Sequence, residues 1–382
     1  MSIDYYRAML LQRTRVEAFR RELAGAIAPG ETVLEIGAGL GTYAFFAADA
    51  GAARVWAIEG SPVTSLARTL SRLNGYDDRV EILRGWYPRT TPPEPVDVVV
   101  FEDYPPRLLD RWTWEVLSGL RPDILKPGGR VIPGTARLRL APVASDRIGT
   151  WIGRFGQDDR AYGIEWRPML EYLHNCPLHA DIEPEALAAP PVTLATVDLN
   201  RLPPIADLTG SATWRFERDT RVQGLLYWFD LQVGGVWLSN EPGGDPGAWG
   251  HLFLATQPPV SVVAGETLEA TVGPQEAGGT PGWLTWSVRA GAVTRQGHEF
   301  LAAPASLDDL TGDLPDRIPR LSEAARLEAR ILTLADGTRT ARQIAGALAG
   351  TEDAPDESVL LEYVLTVLQG RTVQGIGNKK VT

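Results

Sequence analysis

The segment ETVLEIGAGLGTYAFFAADAGA, residues 31–52, restricts the fold more than any other part of the sequence. The apolar run from Val33 to Ile36 predicts a buried strand, and Thr42 to Ala50 opens a helix. Between them the chain must turn sharply at three glycines, Gly37, Gly39 and Gly41. A strand that enters a helix through such a turn is the first unit of an α/β domain, and it needs further strands beside it.

Strands and helices alternate on both sides of this turn. A helix is predicted before it, over residues 4–27. After it the predicted elements are a strand at 55–60, a helix from about Pro62 to Asn74, and strands at 80–83 and 96–100. This alternation predicts a parallel sheet covered by helices on both faces. The ligand of such a sheet is expected beyond the carboxyl ends of its strands.

The residues around the turn indicate which ligand it takes. A dinucleotide fingerprint has a third small residue where Thr42 stands, and its turn holds a pyrophosphate. Glu35 precedes the first glycine by two residues, and its carboxylate would repel pyrophosphate but attract an ammonium or sulfonium group. Glu59, at the end of the next strand, is placed to accept hydrogen bonds from both ribose hydroxyls. Together they favour S-adenosylmethionine. A purely structural turn and a nicotinamide dinucleotide site are the alternatives.

Composition limits the other functions. Acidic residues outnumber Lys plus Arg by 48 to 37, and a net charge of −11 disfavours nucleic acid as a partner. The single cysteine, Cys176, excludes an internal disulfide framework and a cysteine-cluster zinc site. His174 and His179 flank it without a visible third ligand, so no metal is predicted. We expect a cytoplasmic protein that does not enter a membrane, because no run approaches the roughly 20 apolar residues of a membrane helix.

Two segments resemble the protein arginine N-methyltransferase family. VLEIGAGLGTYAFFAADAGAARVWAIEGSP, residues 33–62, resembles its cofactor motif, and MLLQRTRVEAFRREL, residues 9–23, resembles the helix that lies over the bound cofactor. The resemblance implies that Arg15 pairs with the methionyl carboxylate of S-adenosylmethionine. It also implies that Trp86 lies near the adenine.

The resemblance extends to about residue 300 and implies an α/β protein with a Rossmann-like domain, a β-barrel domain and an arm inserted in the barrel domain. LKPGGRVIPGTARL resembles the passage out of the sheet, and GLLYWFDLQVGGVWLSNEP resembles an antiparallel β-barrel. We therefore predict a Rossmann-like S-adenosylmethionine-binding domain over 1–135 and a barrel domain over 136–302. Within the barrel domain, an arm near 151–181 would join two copies into a homodimer.

The C-terminal part has a different pattern. A linker rich in Asp and Pro is predicted at 303–319, and three helices are predicted within a domain over 320–382. ILTLADGTRTARQIAGALAG weakly resembles the helical portions of PqqD-like and winged-helix modules, some of which hold leader peptides in natural-product biosynthesis. A helical appendage that stabilises the dimer is the alternative.

The substrate side departs from the family. The family clamps a guanidinium group between two glutamates nine residues apart, and in FEDYPPRLLDR these positions hold Glu102 and Arg111. A cation at Arg111 would repel an arginine substrate. The family's Thr-His-Trp triplet reads Gly-Ala-Trp here, so only Trp249 remains. The usual aromatic helix before the cofactor helix is reduced to Tyr5 and Tyr6.

These features predict the groups that act on the methyl acceptor. Glu102 is the main catalytic candidate, with Tyr104 and His251 as further candidates, although Glu102 as the cap of a local turn is the alternative. Asp103, Arg111 and Trp249 are the predicted substrate-binding residues. Trp112 and Trp114 could line the pocket or anchor the following helix against the sheet, and the second placement is favoured.

Three functions follow from these predictions. The first is methyl transfer to a nitrogen or oxygen of a peptide or natural-product acceptor, with Arg111 favouring an anionic or neutral acceptor. The second is methylation of peptidyl arginine, with Asp103 or Asp110 supplying the missing carboxylate. The third is a scaffold that binds the cofactor without transferring its methyl group.

Overall fold

In a computed structural model, the protein is described at residues 2–120, 123–154, 160–244, 249–303, 318, 321, 323–349 and 357–369. The chain divides into two compact units, Met1–Pro304 and Ala305–Thr382. The predicted linker at 303–319 lies almost entirely outside the described residues.

The first unit begins with a five-stranded parallel sheet. Its strands are β1 (Thr32–Ile36), β2 (Arg54–Glu59), β3 (Val80–Arg84), β4 (Val96–Phe101) and β5 (Leu125–Ile132). They lie in the order β3-β2-β1-β4-β5, and every pairing is parallel. The order reverses at β1, so the carboxyl ends of β1 and β4 form the crevice in which such sheets bind ligands.

Helices cover this sheet as the alternation predicts. The crossover helices are α3 (Thr42–Asp49), α4 (Thr64–Leu73) and α5 (Arg111–Ser118). The predicted single helix over 4–27 is wrong, because the chain forms α1 (Ile3–Leu11) and α2 (Arg13–Ala26) with a break at Gln12. Gln12 has φ −74° and ψ 71°, which is not helical. The break lets α1 leave the line of α2 and lie over the glycine turn.

Two antiparallel sheets follow. Their strands are β6 (Thr135–Val143), β7 (Val192–Asp198), β8 (Gly210–Arg215), β9 (Thr220–Val233), β10 (Val236–Ser239), β11 (Leu252–Val262), β12 (Thr267–Ala277), β13 (Thr280–Ala290) and β14 (Val293–His298). One sheet has the order β10-β9-β6-β7, with β11 also paired to β9, and the other has the order β14-β13-β12-β8. Their buried side chains join those of the parallel sheet in one continuous apolar core, so the barrel part and the Rossmann-like part are packed as one body.

Two helices interrupt the antiparallel strands in the predicted arm. They are α6 (Asp146–Gly153) and α7 (Arg167–Asn175). Ile148 and Ile152 of α6 are buried in a small apolar cluster beside β9 and β11. No residue of α7 is fully buried within the chain, and its apolar side chains are only half-buried.

The second unit contains the three predicted helices, α8 (Glu323–Leu334), α9 (Ala341–Leu348) and α10 (Glu357–Leu368). Ile331, Ile344, Leu360 and Val364 belong to its apolar core. The chain turns between α8 and α9 at Gly337, which has φ 85°. Residues 370–382 of the predicted C-terminal domain lie outside the described residues. No helix in the described part of the chain is both long enough and apolar enough to cross a membrane.

Candidate active site

A pocket opens at the carboxyl ends of β1 and β4, where the strand order reverses. Its walls come from the glycine turn, from α1, and from the loop that follows β4. Gly37, Gly39 and Gly41 have φ values of 76°, 54° and 82°, which favour glycine at all three positions. At Gly39 there is a second reason, because a Cβ atom would lie 2.9 Å from the ring of Tyr6. Helix α1 can therefore pack closely against the turn because position 39 has no side chain.

Glu59 and Glu35 hold the turn from below. The Glu59 carboxylate accepts hydrogen bonds from the backbone N–H of Gly39 at 2.9 Å and of Ser61 at 2.6 Å. Glu35 Oε2 accepts from the backbone N–H of Ala44 in α3 at 2.8 Å. Burial, with smaller contributions from the nearby Glu102 and Glu59, raises the pKa of the Glu35 carboxyl to about 8. The carboxyl predicted to attract a cation is thus largely protonated near neutral pH when no cation is beside it.

Aromatic side chains form the outer walls. Tyr5 and Tyr6 of α1 contact each other edge to face at 5.6 Å, and the Tyr6 hydroxyl is 3.2 Å from Ser61 Oγ. Trp86 is 64% exposed and lies directly on Gly60, where a Cβ atom would be 2.1 Å from the indole ring. An exposed indole at the pocket rim provides a flat apolar surface for a base.

Glu102 is fixed at the inner end of the pocket. Arg15 Nη1 donates to Glu102 Oε1, and the indole N–H of Trp249 donates to the backbone carbonyl of Glu102 at 3.0 Å. The Arg15 guanidinium also lies 5.8 Å from the centre of the Trp249 ring. Glu102 Oε2 and Arg15 Nε are buried and have no hydrogen-bond partner among the described residues. One carboxylate oxygen therefore remains available to a bound molecule.

The environment of Glu102 perturbs its titration. Burial raises its pKa, while the Arg15 cation and then the Tyr43 hydroxyl oppose the shift. The buried Tyr104 hydroxyl has no partner among the described residues, and burial holds its pKa well above the ordinary value. Its ring is enclosed by Phe101 at 5.0 Å and Phe229 at 6.0 Å. Both candidates are thus in the pocket, and Tyr104 is a neutral phenol there.

Asp103 lies at the mouth of the same pocket. A Cβ atom on Gly37 would be 3.7 Å from Asp103 Cβ, so the side chain borders the glycine turn. Burial raises the pKa of Asp103, and the charges of Glu59 and Asp110 raise it further. Three carboxyl groups of the pocket, those of Glu35, Glu102 and Asp103, therefore have raised pKa values.

Arg111 is not in the pocket, contrary to our expectation for the loop. Asp110 caps α5 by accepting from the backbone N–H of Thr113 at 2.8 Å, which makes Arg111 the first helical residue. The Arg111 side chain points outward and pairs with Glu115, one helical turn on, at 2.9 Å. Because α5 begins at Arg111, the Arg111 side chain points away from Glu102.

His251 also lies elsewhere. Its Nδ1 is 3.2 Å from the carbonyl oxygen of Asn240, and its Nε2 is 2.8 Å from that of Ala180. The imidazole links two backbone segments and does not line the pocket. The described residues contain no group of three or more His, Cys, Asp or Glu side chains that would bind a metal, and this includes the surroundings of His174 and His179.

Tyr43 and Trp112 line the pocket, although neither was among the predicted site residues. Tyr43 of α3 stacks on Phe19 at 4.5 Å and lines the pocket near Glu102. Trp112 is 39% exposed and also lines the pocket, so its predicted place in the core is wrong, whereas Trp114 does pack against the core. A signal for Tyr43 was available, because it lies in the first turn of the helix that the glycine turn opens.

The pocket suits a cationic nucleoside with an amino-acid tail. The Glu59 carboxylate lies beside the glycine turn, Trp86 offers a surface for a base, and Arg15 has an unsatisfied guanidinium N–H for a carboxylate. Glu35 supplies a carboxyl group for a positive charge. The residues present therefore fit S-adenosylmethionine.

Comparison with known proteins agrees with this geometry. Residues 135–278 match the family model described as the arginine methyltransferase oligomerization subdomain. The chain is 31% identical over 280 residues to the arginine N(omega)-methyltransferase of Streptomyces achromogenes subsp. streptozoticus, covering 70% of this chain and 74% of that protein. It is 30% identical over 235 residues to protein arginine N-methyltransferase 6 of Xenopus laevis, covering 59% of this chain and 69% of the relative.

Solved structures share the fold. The Trypanosoma brucei PRMT1 enzyme-prozyme heterotetrameric complex with AdoHcy aligns with a TM-score of 0.67 and 22% identity, covering 77% of this chain and 97% of that one. Arabidopsis thaliana protein arginine methyltransferase 10 aligns with a TM-score of 0.61 and 21% identity, covering 78% and 98%. The parallel sheet and the antiparallel strands thus have the arrangement of known methyltransferases.

Proposed function

Because the chain belongs to the protein arginine N-methyltransferase family and is an S-adenosylmethionine-dependent methyltransferase, we propose that it methylates a nitrogen of a peptide or natural-product acceptor held by Glu102. The observation that carries this proposal is the buried Glu102 oxygen that has no partner among the described residues. An N–H group of the acceptor satisfies that oxygen and is oriented by it.

Each cofactor contact has its own residue. With the cofactor bound, Glu59 would accept from the ribose hydroxyls, Trp86 would pack on the adenine, Glu35 would face the positive charge and Arg15 would bind the methionyl carboxylate. The cofactor supplies a methyl group made electrophilic by the sulfonium charge. The protein has to align the acceptor with that methyl group and to take up one proton.

Glu102 is suited to the proton-transfer role. Its pKa is raised and therefore lies closer to neutral pH than that of an ordinary carboxyl group. A base whose pKa is near the working pH both accepts and releases a proton effectively. Arg15 holds one carboxylate oxygen and Trp249 holds the backbone, so the second oxygen is fixed in direction. This orientation is the main requirement for a reaction that is driven by a reactive donor.

Charge favours nitrogen over oxygen as the acceptor atom. Among the described residues, Glu35, Glu59, Glu102 and Asp103 line the pocket together with one cation, Arg15. Such surroundings stabilise an acceptor that carries or develops positive charge and disfavour an alkoxide. An attacking nitrogen becomes more positive during methyl transfer, whereas an attacking oxygen must first lose a proton.

The guanidino nitrogen of arginine is the second candidate. Arg111 points away and pairs with Glu115, so the repulsion expected from the loop sequence does not act inside the pocket. Asp103 borders the pocket and supplies a second carboxyl group, whereas Asp110 is occupied as the cap of α5. A relative named for arginine methylation, at 31% identity, also supports this acceptor.

The variant Glu102→Gln tests the assignment. The amide keeps one oxygen for Arg15 but is not a base, so we expect kcat to fall by about 10²- to 10⁴-fold while cofactor affinity changes little. Glu115→Gln is the matched control, because Glu115 is a surface glutamate on the same segment that also pairs with an arginine. Isothermal titration measures cofactor binding, and transfer of isotopically labelled methyl to a mixture of peptides measures turnover.

The outcomes separate the hypotheses. An equal loss of cofactor binding and turnover in Glu102→Gln would remove Glu102 from the transfer step. Cofactor binding by the wild-type protein with no transfer to any peptide or natural-product extract would favour the scaffold function instead.

We also propose that two copies associate through the arm near 151–181. The matched family model is described as an oligomerization subdomain, and α7 has no residue buried within its own chain. Analytical ultracentrifugation should give twice the mass of the 41.6 kDa chain. A single monomeric species at micromolar concentration would contradict the dimer.

A further inference from the structure

The loop between β4 and α5 contains a residue with left-handed backbone geometry. Leu108 has a φ of 69°, and its side chain is completely buried. A residue with a Cβ atom is disfavoured in this region, and such a conformation persists only where the surrounding structure holds it. Contacts around the loop must therefore fix its backbone.

Hydrogen bonds within the loop make the residues around Leu108 a compact turn. The Leu108 N–H donates to the Pro105 carbonyl at 2.8 Å, and the Leu109 N–H donates to the Arg107 carbonyl at 2.9 Å. The rings of Pro105 and Pro106 further restrict the backbone at the start of the turn. A displacement of Arg107 is therefore passed to the residues that precede Pro105.

A bidentate ion pair joins this turn to the antiparallel part of the chain. Arg107 Nη1 lies 2.9 Å from Glu299 Oε2, and Arg107 Nη2 bonds Glu299 Oε1. Glu299 begins the short 3₁₀ helix Glu299–Ala302 after β14, and its Oε2 also accepts from the backbone N–H of Leu284 in β13 at 2.7 Å. Two parallel bonds between charged groups fix both the distance and the direction of the Arg107 side chain.

The depth of this ion pair distinguishes it from a surface pair. The side chains of Arg107 and Glu299 are 21% and 20% exposed, whereas those of the pair between Arg289 and Glu269 are 57% and 45% exposed. Exposed pairs contribute little to structure, but removing one partner of a partly buried pair leaves a desolvated charge without compensation. Loss of the Glu299 charge should therefore displace Arg107 and the turn that carries it.

The same loop begins with the residues that face the methyl-transfer pocket. The Glu102 carbonyl accepts from the indole N–H of Trp249 at 3.0 Å, and the Tyr104 ring packs on Phe229 of β9 at 6.0 Å. Glu102 Oε2 has no hydrogen-bond partner among the described residues, so its direction depends on the backbone that carries it. The pair with Glu299 gives this backbone a further anchor on the antiparallel strands.

We propose that Glu299 is a positioning residue for methyl transfer, which through its ion pair with Arg107 holds the loop so that Glu102 Oε2 faces the methyl acceptor. This inference rests on the proposed function of Glu102. It makes a residue 192 positions later in the chain than Arg107 necessary for the geometry of the transfer step, although that residue does not contact the reacting groups.

The variant Glu299→Gln tests the inference in the full-length protein. Glutamine can still accept from the Leu284 N–H but offers Arg107 no charge, so the strand contact is kept and the ion pair is lost. We expect kcat for a peptide that the wild-type protein methylates to fall by about 10- to 100-fold, with cofactor affinity changed less than about twofold. Titration calorimetry measures the affinity and the number of cofactor-binding molecules, and kcat is expressed per such molecule.

Glu269→Gln is the matched control. It removes the charge of another glutamate of the antiparallel strands that pairs with an arginine, but this pair does not involve the loop. Its kcat should equal that of the wild-type protein. A kcat for Glu299→Gln equal to that of this control, or a loss of kcat matched by an equal loss of cofactor affinity, would overturn the inference.

Arg107→Gln and the double variant Arg107→Gln/Glu299→Gln show whether the two side chains act as one unit. The double variant contains no unpaired charge, and its two amides can hydrogen-bond each other. Its kcat should therefore be no lower than that of the weaker single variant. Losses of kcat that multiply in the double variant would mean that the two residues act separately, which contradicts positioning through the pair.

Hydrogen–deuterium exchange observes the loop without any methyl transfer. The Leu108 and Leu109 amides should exchange faster in Glu299→Gln than in the wild-type protein or Glu269→Gln, because their bonds close the turn. Unchanged exchange would overturn the inference whatever the turnover. Faster exchange with wild-type kcat would also overturn it, and the Glu102→Gln variant then shows how far the failure reaches. Loss of turnover in Glu102→Gln leaves the proposed function in place, whereas wild-type turnover in that variant contradicts the proposed function as well.

Discussion

Cofactor binding should release a proton from Glu35, and Glu35→Gln should abolish that release. Burial raises the pKa of this carboxyl to about 8 in the ligand-free protein. By this value it is ionised to about 1% at pH 6, about 10% at pH 7 and about half at pH 8. A cation bound beside it favours the carboxylate and returns its pKa toward the ordinary value of 4.5.

The expected magnitude follows from those fractions. If the cation lowers the bound-state pKa below 6, cofactor affinity rises about 50-fold between pH 6 and pH 8 relative to the Gln variant. About 0.9 proton is then released per cofactor at pH 7. Glutamine has a similar shape and still accepts from the Ala44 N–H, so the variant should keep the glycine turn intact.

Isothermal titration in buffers of different ionisation enthalpy measures both quantities. The amino group of the cofactor titrates in the same way with both proteins, so it cancels when the two pH profiles are divided. Equal pH dependence for the wild-type protein and Glu35→Gln, or release of no proton, would refute the assignment of Glu35 as the group that faces the positive charge.

The same pKa shift determines how stability depends on pH. Because the folded-state pKa of Glu35 is above the unfolded value, the folded protein binds more protons between pH 4.5 and about 8. The contribution of Glu35 to the free energy of unfolding is therefore fully present below pH 4.5 and decreases as the pH rises through about 8. Thermal melts of the ligand-free protein should show a smaller decrease for Glu35→Gln over this range.

Two further substitutions test the geometry of the pocket. Gly39→Ala should weaken cofactor binding by at least about tenfold, because φ is positive and the new Cβ would meet the Tyr6 ring. Gly25→Ala is the control, because it has open space around it and should bind the cofactor as the wild-type protein does. Titration calorimetry measures both affinities, and equal affinities would contradict the closure of the turn by α1. Arg111→Glu should change kcat less than about twofold, because the side chain lies outside the pocket and pairs with Glu115. If steady-state assays showed that this variant had become an efficient arginine methyltransferase, the placement of Arg111 outside the pocket would be contradicted.

The cofactor side of the site was more predictable from the sequence than the acceptor side. The spacing of the three glycines was enough to predict the turn. Glu35 and Glu59 could be assigned to the site because they lie at the ends of two neighbouring strands. The sequence did not reveal that Glu35 is buried deeply enough to bind a proton, because that depends on α1 and on the neighbouring carboxyl groups. The break at Gln12 was also missed, because apolar spacing continues across it.

The acceptor side depends on where a helix begins. Counting nine residues from Glu102 placed Arg111 in the pocket, but Asp110 caps α5, so α5 begins at Arg111 and its side chain points outward. The same helix start brings Trp112 to the pocket wall. His251 was expected in the crevice from its distance to Trp249, yet alternation along the chain near β11 directs it to two backbone carbonyls instead. Such outcomes depend on tertiary contacts that residue spacing does not encode.

Localisation of the transferred methyl group tests the central claim most directly. The full-length protein is incubated with methyl-labelled S-adenosylmethionine and an acceptor peptide, and fragmentation mass spectrometry assigns the labelled atom. We predict label on a side-chain nitrogen, with the yield strongly reduced in Glu102→Gln and retained in Glu115→Gln. Label on oxygen or sulfur, or a yield unaffected by Glu102→Gln, would contradict a nitrogen acceptor held by Glu102.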